Sequence, residues 1–166
     1  MLFAIGVPVA NTTPPPPFMD WTCRTFRYMS NARSLAVCGK PAMRVIEVGH
    51  IVYSPALQRT PLGTEAQYLL ARYAFETLRY RRYEWKCNAL NAASQSAALR
   101  YGFTFEGILR QHMIAKGRNR DTAYFSMLDN EWPKRKANFE RWLSPDNFTA
   151  DGRQILSLGA LNGVTG

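Results

Sequence analysis

The chain has 166 residues, 46% of them apolar and 20% charged; that is one domain of ordinary size with enough apolar content for a buried core, and it excludes wholesale disorder and most multidomain enzymes. Twenty-one Lys and Arg against twelve Asp and Glu leave a formal charge of +9, which favours anionic partners: phosphates, phosphate-bearing cofactors, nucleic acid or membrane headgroups. Three cysteines (Cys23, Cys38, Cys87) and two histidines (His50, His112) show no Cys-x-x-Cys or His-x-x-x-His spacing, so neither a disulfide scaffold nor a bound metal is expected.

The odd cysteine count suits a reducing compartment. Residues 2–10 are apolar, but they lack the basic start of a signal peptide and are too short to cross a bilayer. The expected location is cytoplasmic, without a membrane partner.

In chain order, residues 1–40 read as an irregular segment. Four consecutive prolines in Asn11–Pro17 favour an extended linker or arm, with at most one early strand near 34–38. Residues 41–143 alternate strand-like and helix-like patterns and form the expected domain. Residues 144–166 hold glycines, polar residues and isolated apolar ones, and read as a flexible tail.

Within the domain, Arg44–Tyr53 is β-branched and apolar, the pattern of a mostly buried strand. From Thr64, taken as N-cap, the residues Ala66, Leu69, Leu70, Tyr73, Ala74 and Thr77 recur at helical spacing. Arg82–Cys87 sets Tyr83, Trp85 and Cys87 against Glu84 and Lys86, the alternation of a half-buried strand. Asn91 caps a short helix running to Tyr101 and ended by Gly102. Phe103–Ala115 and Asp121–Leu128 read as strands joined through the turn Lys116–Arg120. Trp132–Leu143 is amphipathic and reads as a last helix. The order strand, helix, strand, helix, strand, strand indicates a mixed α/β sheet.

Three places are candidates for chemistry. The turn Gln58–Thr64 leads from a strand into a helix through Gly63; such a start gathers unpaired amides and the positive end of the helix dipole, which suits a phosphate, although it also reads as an ordinary connection. Asn91 and Ser94 stand one helical turn apart and either cap the helix or face a ligand. Glu47, among Val45, Ile46, Val48 and Ile51, is costly to bury. It either serves as a general base with its proton affinity raised by desolvation or sits at a strand edge, pointing into water or paired with an Arg.

Four stretches together resemble the GNAT superfamily of acetyl-CoA-dependent N-acetyltransferases, in particular its RimJ/RimL-type branch: Ile46–Pro55 (IEVGHIVYSP), Gln58–Ala66 (QRTPLGTEA), Asn88–Gly107 and Arg118–Pro133. The resemblance implies a GNAT-like fold shortened at its N-terminal side. It implies a cofactor loop of pattern Gln/Arg-x-x-Gly-x-Gly/Ala, matched by Gln58 and Gly63, with Pro61 in place of the first glycine, and backed by Arg59, Leu62 and Thr64. It further implies that the two central strands part to admit the acetyl-bearing arm, with backbone groups near Ile51 and Val52 polarising the thioester. Asn91 would contact the cofactor, Glu47 would be the base and Ser94 the acid, the alternative Tyr position being Ala98.

The function so implied is transfer of an acetyl group to a primary amine, on a protein N-terminus or a small molecule, by a monomer or homodimer. A catalytically impaired relative that binds CoA or acts as a basic interaction module is the second reading. A nucleic-acid-binding domain ranks third: it draws on the charge and on Arg79–Trp85 (RYRRYEW), where Tyr83 and Trp85 read more simply as core.

Overall fold

The computed structural model describes residues 24–26 and 32–164, with side chains from Lys40 onward. The Pro-rich run Asn11–Pro17 and Cys23 lie outside the described residues. Six strands, β1 (Arg24–Phe26), β2 (Ala32–Lys40), β3 (Val45–Tyr53), β4 (Arg82–Asn88), β5 (Thr104–Ala115) and β6 (Arg118–Leu128), form one sheet in the order β1-β2-β3-β4-β6-β5. Neighbours are antiparallel except β3 and β4, which are parallel because helix α1 (Pro61–Arg72) crosses between them. The mixed α/β class expected from the alternation is the one observed.

One face of the sheet holds the core. Ile46 and Val48 on β3, Tyr83, Trp85 and Cys87 on β4, and Ala123, Phe125 and Met127 on β6 are all buried, as period-2 side-chain alternation requires. Against them pack Tyr68 and Ala71 of α1, Ala98 of α2 (Ala92–Arg100), Phe139 and Trp142 of α3 (Trp132–Leu143) and Leu158 of α4 (Leu158–Leu161). Aromatic rings knit this layer: Phe75 meets Tyr83 at 6.1 Å, Tyr83 meets Phe103 at 5.5 Å, and Trp85 meets Phe103 at 5.7 Å. Such pairs add about 0.5–1.5 kcal/mol each beyond the area they bury.

Several sequence expectations need correction. Helix α1 begins three residues before Thr64: Thr60 is its N-cap, and Pro61 takes the first helical position, where a missing N–H is harmless. Its buried stripe is Gly63, Thr64, Gln67, Tyr68 and Ala71, continued by Ala74 and Phe75 in the π-helical turn Tyr73–Thr77. Of the expected stripe only Ala74 is buried. The helix is rotated so that polar Thr64 and Gln67 lie inside, where Thr64 accepts from Arg100 and Gln67 Nε2 donates to Tyr53, while Gln67 Oε1 is buried with no partner among the described residues. The hairpin turn is two residues, Lys116 and Gly117, both at positive φ (52° and 72°), the conformation that matches strand twist.

The segment after residue 143 is not a loose tail through Val164. Leu158 is fully buried, and Asn147 bridges the carbonyls of Trp142 and Leu156, both at 3.1 Å. Asn162 donates to the Arg100 carbonyl at 2.9 Å. A boundary at residue 41 is likewise absent, since β1 and β2 continue the sheet from β3; the strand expected near 34–38 falls within β2.

Candidate functional site

Parallel strands normally stay paired along their shared length, but β3 and β4 do not. Their ladder runs from Val45 opposite Arg82 to Val48 opposite Trp85 and stops. Beyond it, β3 continues beside β2 to Tyr53, and β4 continues beside β6 to Asn88. The local cause is a bulge: Ser34 faces Val52 and Ala36 faces Gly49, so β3 spends an extra residue there, and His50 sits at φ 51°. A bulge bends its strand and raises the local twist. It turns the outer half of β3, with half-buried Ile51 and exposed Val52, away from β4. The gap between the strands is lined by backbone groups with no ladder partner.

The start of α1 lies at the open end of β3. The Tyr53 hydroxyl donates to the Gly63 carbonyl at 3.3 Å and accepts from Gln67 Nε2 at 2.7 Å, which fixes the helix start against the strand. Burial is the main reason that the Tyr53 hydroxyl is pushed up to about 12, so it stays protonated and able to donate. Gly63 is required by close approach: a Cβ there would stand 2.8 Å from the Leu57 carbonyl oxygen.

The Gly63 amide donates to Thr60 Oγ1 at 3.2 Å, and the Thr64 amide to the Thr60 carbonyl at 3.4 Å. Among the described residues the amides of Arg59, Thr60 and Leu62 have no acceptor, and they are the donors open to an anion. Gln58 turns its side chain back to the Tyr53 carbonyl at 2.9 Å, while Arg59 is exposed beside it. Thr64 is buried and accepts from Arg100 at 3.2 Å, tying α1 to α2.

At the start of α2, Asn91 Oδ1 accepts from the Ser94 amide at 3.1 Å and so caps the helix. Asn91 is exposed. Ser94 Oγ accepts from the Trp85 indole at 3.0 Å, which places the hydroxyl on the helix side of the last β3–β4 pair. With that acceptor position taken, the hydroxyl still has its proton to donate, and Cys87 is one partner for it. Burial pushes the neighbouring Cys87 thiol up, a hydrogen bond with Ser94 opposing it; a thiol so shifted is a poor nucleophile.

Glu47 lies on the opposite face. Its carboxylate is not sealed among the apolar residues that flank it in sequence: it is 24% exposed and paired with Lys86 Nζ at 3.0 Å. Lys86 also reaches Glu84 at 3.1 Å, Arg82 reaches Glu84 at 2.7 Å and pairs with Glu106, and Ser126 donates to Glu106 at 2.7 Å. This row of alternating charge crosses β3, β4, β6 and β5. Burial alone would raise Glu84 and lower Lys86, but the paired charges outweigh it, holding Glu84 below and Lys86 above their ordinary values.

Glu47 and Ser94 therefore flank the point where the strands part, one on each face. Sequence reasoning missed Lys86, Glu84, Tyr53 and Thr60. The off-parity positions of Arg82–Asn88 carried a signal for the first two, but the pairing with Glu47 spans 39 positions.

Residues 23–104 match the acetyltransferase (GNAT) domain model. No curated protein matches the chain. Among solved structures, a GCN5-related N-acetyltransferase from Brucella melitensis is 48% identical with a TM-score of 0.77, over 80% of this chain and 60% of that one. A Chromobacterium violaceum ATCC 12472 protein named a probable acetyltransferase of the GNAT family is 56% identical with a TM-score of 0.59, over 60% of this chain and 50% of that one. A point variant of the spermidine N-acetyltransferase from Vibrio cholerae shares the fold at 18% identity and a TM-score of 0.56, over 63% of this chain and 62% of that one. The chain thus spans half to about three fifths of the length of these relatives. Over its described residues it has the GNAT acetyltransferase fold, and the matched span holds the parted strands and both helix starts.

Proposed function

We propose that this chain transfers an acetyl group from acetyl-CoA to a primary amine, as an enzyme of the RimJ/RimL type. The observation that carries the reading is the early end of the β3–β4 ladder beside a helix start with unengaged amides. The residues present fit such a co-substrate. The gap offers backbone donors and acceptors to an extended arm, and Gly63 keeps the helix start close to the strand end. Arg59 and the amides of Arg59, Thr60 and Leu62 suit a diphosphate. Acetyl-CoA supplies the acetyl group as an activated thioester.

The chain's own groups then divide the work. Glu47, on the face away from the helices, takes a proton from the acceptor's ammonium, so that the amine can form the new C–N bond as the C–S bond breaks. Ser94, on the helix side, gives a proton to the departing sulfur. Cys87, held protonated by burial, stays out of the reaction, and transfer to the amine is direct. The Asn91–Ser94 pair is the arrangement of the RimJ/RimL-type branch, which takes protein N-termini or small-molecule amines.

Calorimetric titration with acetyl-CoA, followed by thiol-release assays over an amine panel, tests this. Binding and turnover are expected; no heat at millimolar acetyl-CoA overturns the reading. Ser94→Ala should lower kcat about a hundredfold with little change in acetyl-CoA affinity, and an unchanged kcat removes Ser94 as the acid.

A further inference from the structure

Lys86 is the first residue of β4 beyond the last β3–β4 pair, and its side chain reaches back across the mouth of the gap to Glu47. Its ammonium lies 3.0 Å from Glu47, 3.1 Å from Glu84 and 4.9 Å from the centre of the Tyr124 ring. Two carboxylates and an aromatic face are the surroundings that an ammonium ion seeks. Resting on the transferase reading, we propose that Lys86 is a specificity-determining residue: it holds the base until the acceptor's own ammonium displaces it.

The two cations of the row differ in how firmly they are held. Arg82 is a planar fork bound to Glu84 on its own strand and to Glu106 on β5, two strands away, and cannot leave without breaking several bonds. Lys86 is no more exposed than Arg82, 25% against 24%, but it is a point charge on a flexible stem. Each of its contacts is a single approach of one charge to another with no fixed fork geometry, which an arriving ammonium can reproduce.

When Lys86 swings out, Glu47 and Glu84 both face the newcomer, with Arg82 still balancing Glu84 and Glu106. The site then carries surplus negative charge. It selects amines without a carboxylate near the reacting nitrogen, and cationic amines above all.

The test uses the full chain and butane-1,4-diamine as probe, with calorimetry in the absence of acetyl-CoA and steady-state rates in its presence. Lys86→Met should bind the diamine about threefold or more tighter and lower its KM by a similar factor, with acetyl-CoA affinity unchanged. Lys86→Arg, whose fork would hold Glu47 and Glu84 more firmly, should bind the diamine more weakly than the wild type. Adding Glu47→Gln to Lys86→Met should abolish the gain.

Diamine binding no tighter in Lys86→Met, no diamine binding by any variant, or a gain that survives Glu47→Gln overturns the proposal. If Lys86→Met does not fold, Lys86→Gln takes its place. If neither folds, Lys86 is a clamp between the strands and the proposal is wrong. Acetyl transfer without the affinity gain defeats the role of Lys86 alone. The gain without acetyl transfer to any amine defeats the transferase reading instead.

Discussion

The two ends of the β3–β4 pair are built on opposite principles. At the closed end, hydrogen bonds run strand to strand, and Ile46, Val48, Tyr83 and Trp85 are buried under the helices. At the open end the strands share no bonds, and the neighbourhood is organised by a bulge, a helix cap and charged side chains. Burial of apolar surface gains free energy without direction, so the closed end supplies stability. The open end leaves backbone groups unpaired, a cost that persists only where the rest of the fold is firm enough to bear it.

Substitutions at each end should separate these roles. Tyr83→Ala, at the closed end, should lose about 3–5 kcal/mol in denaturant unfolding. Tyr83→Phe should be near neutral or stabilising, because the hydroxyl is buried with no partner among the described residues. A large loss in Tyr83→Phe would show that this end also depends on a polar contact.

Gly63→Ala, at the open end, should cost about 1–3 kcal/mol, since the new methyl meets the Leu57 carbonyl. It should also weaken acetyl-CoA binding measured by calorimetry, whereas Tyr83→Phe leaves that binding unchanged. Thr60→Ala removes the helix cap and should cost about 1 kcal/mol in thermal unfolding.

The smallest effect expected is on acid stability. Glu106 is held down to about 2, mainly by its hydrogen bonds from Arg82, against an ordinary 4.5. Its folded value is depressed, so its contribution is present above 4.5 and is lost as pH falls from there toward 2. The carboxylate is 37% exposed and water screens it, so the change should be slight. Glu106→Gln should flatten stability against pH in that window, and an unchanged slope would assign the acid sensitivity to other groups.

Much of the fold was legible locally. The alternation in Arg82–Asn88 set Tyr83, Trp85 and Cys87 inward, and Asn91 and Gly102 bracketed a helix, because alternation and capping depend on neighbours in sequence. The orientation of α1 was not legible. Its inward face includes Thr64 and Gln67, and only Arg100 and Tyr53, brought in from elsewhere, make their burial tolerable. Nor was the packing of the last segment, where Leu158 and Asn147 are isolated in sequence yet buried in space. At the site, Glu47, Ser94, Gly63 and Asn91 stood out by residue type, but the state of Glu47 depends on Lys86.

By itself the sequence determined, to within a few residues, where β3 to β6 and α1 to α3 form, which side of the central strand β4 faces inward, and which residues carry the chemistry of a cap, a carboxylate or a hydroxyl. Only the tertiary structure decided that β3 and β4 part after Val48 and Trp85, that Glu47 and Ser94 stand on opposite faces of that point, and that a lysine already occupies the carboxylate. The reason is physical. Propensity and alternation act over a few residues, whereas strand separation and charge pairing are set by groups far apart in the chain that only packing brings within reach of one another.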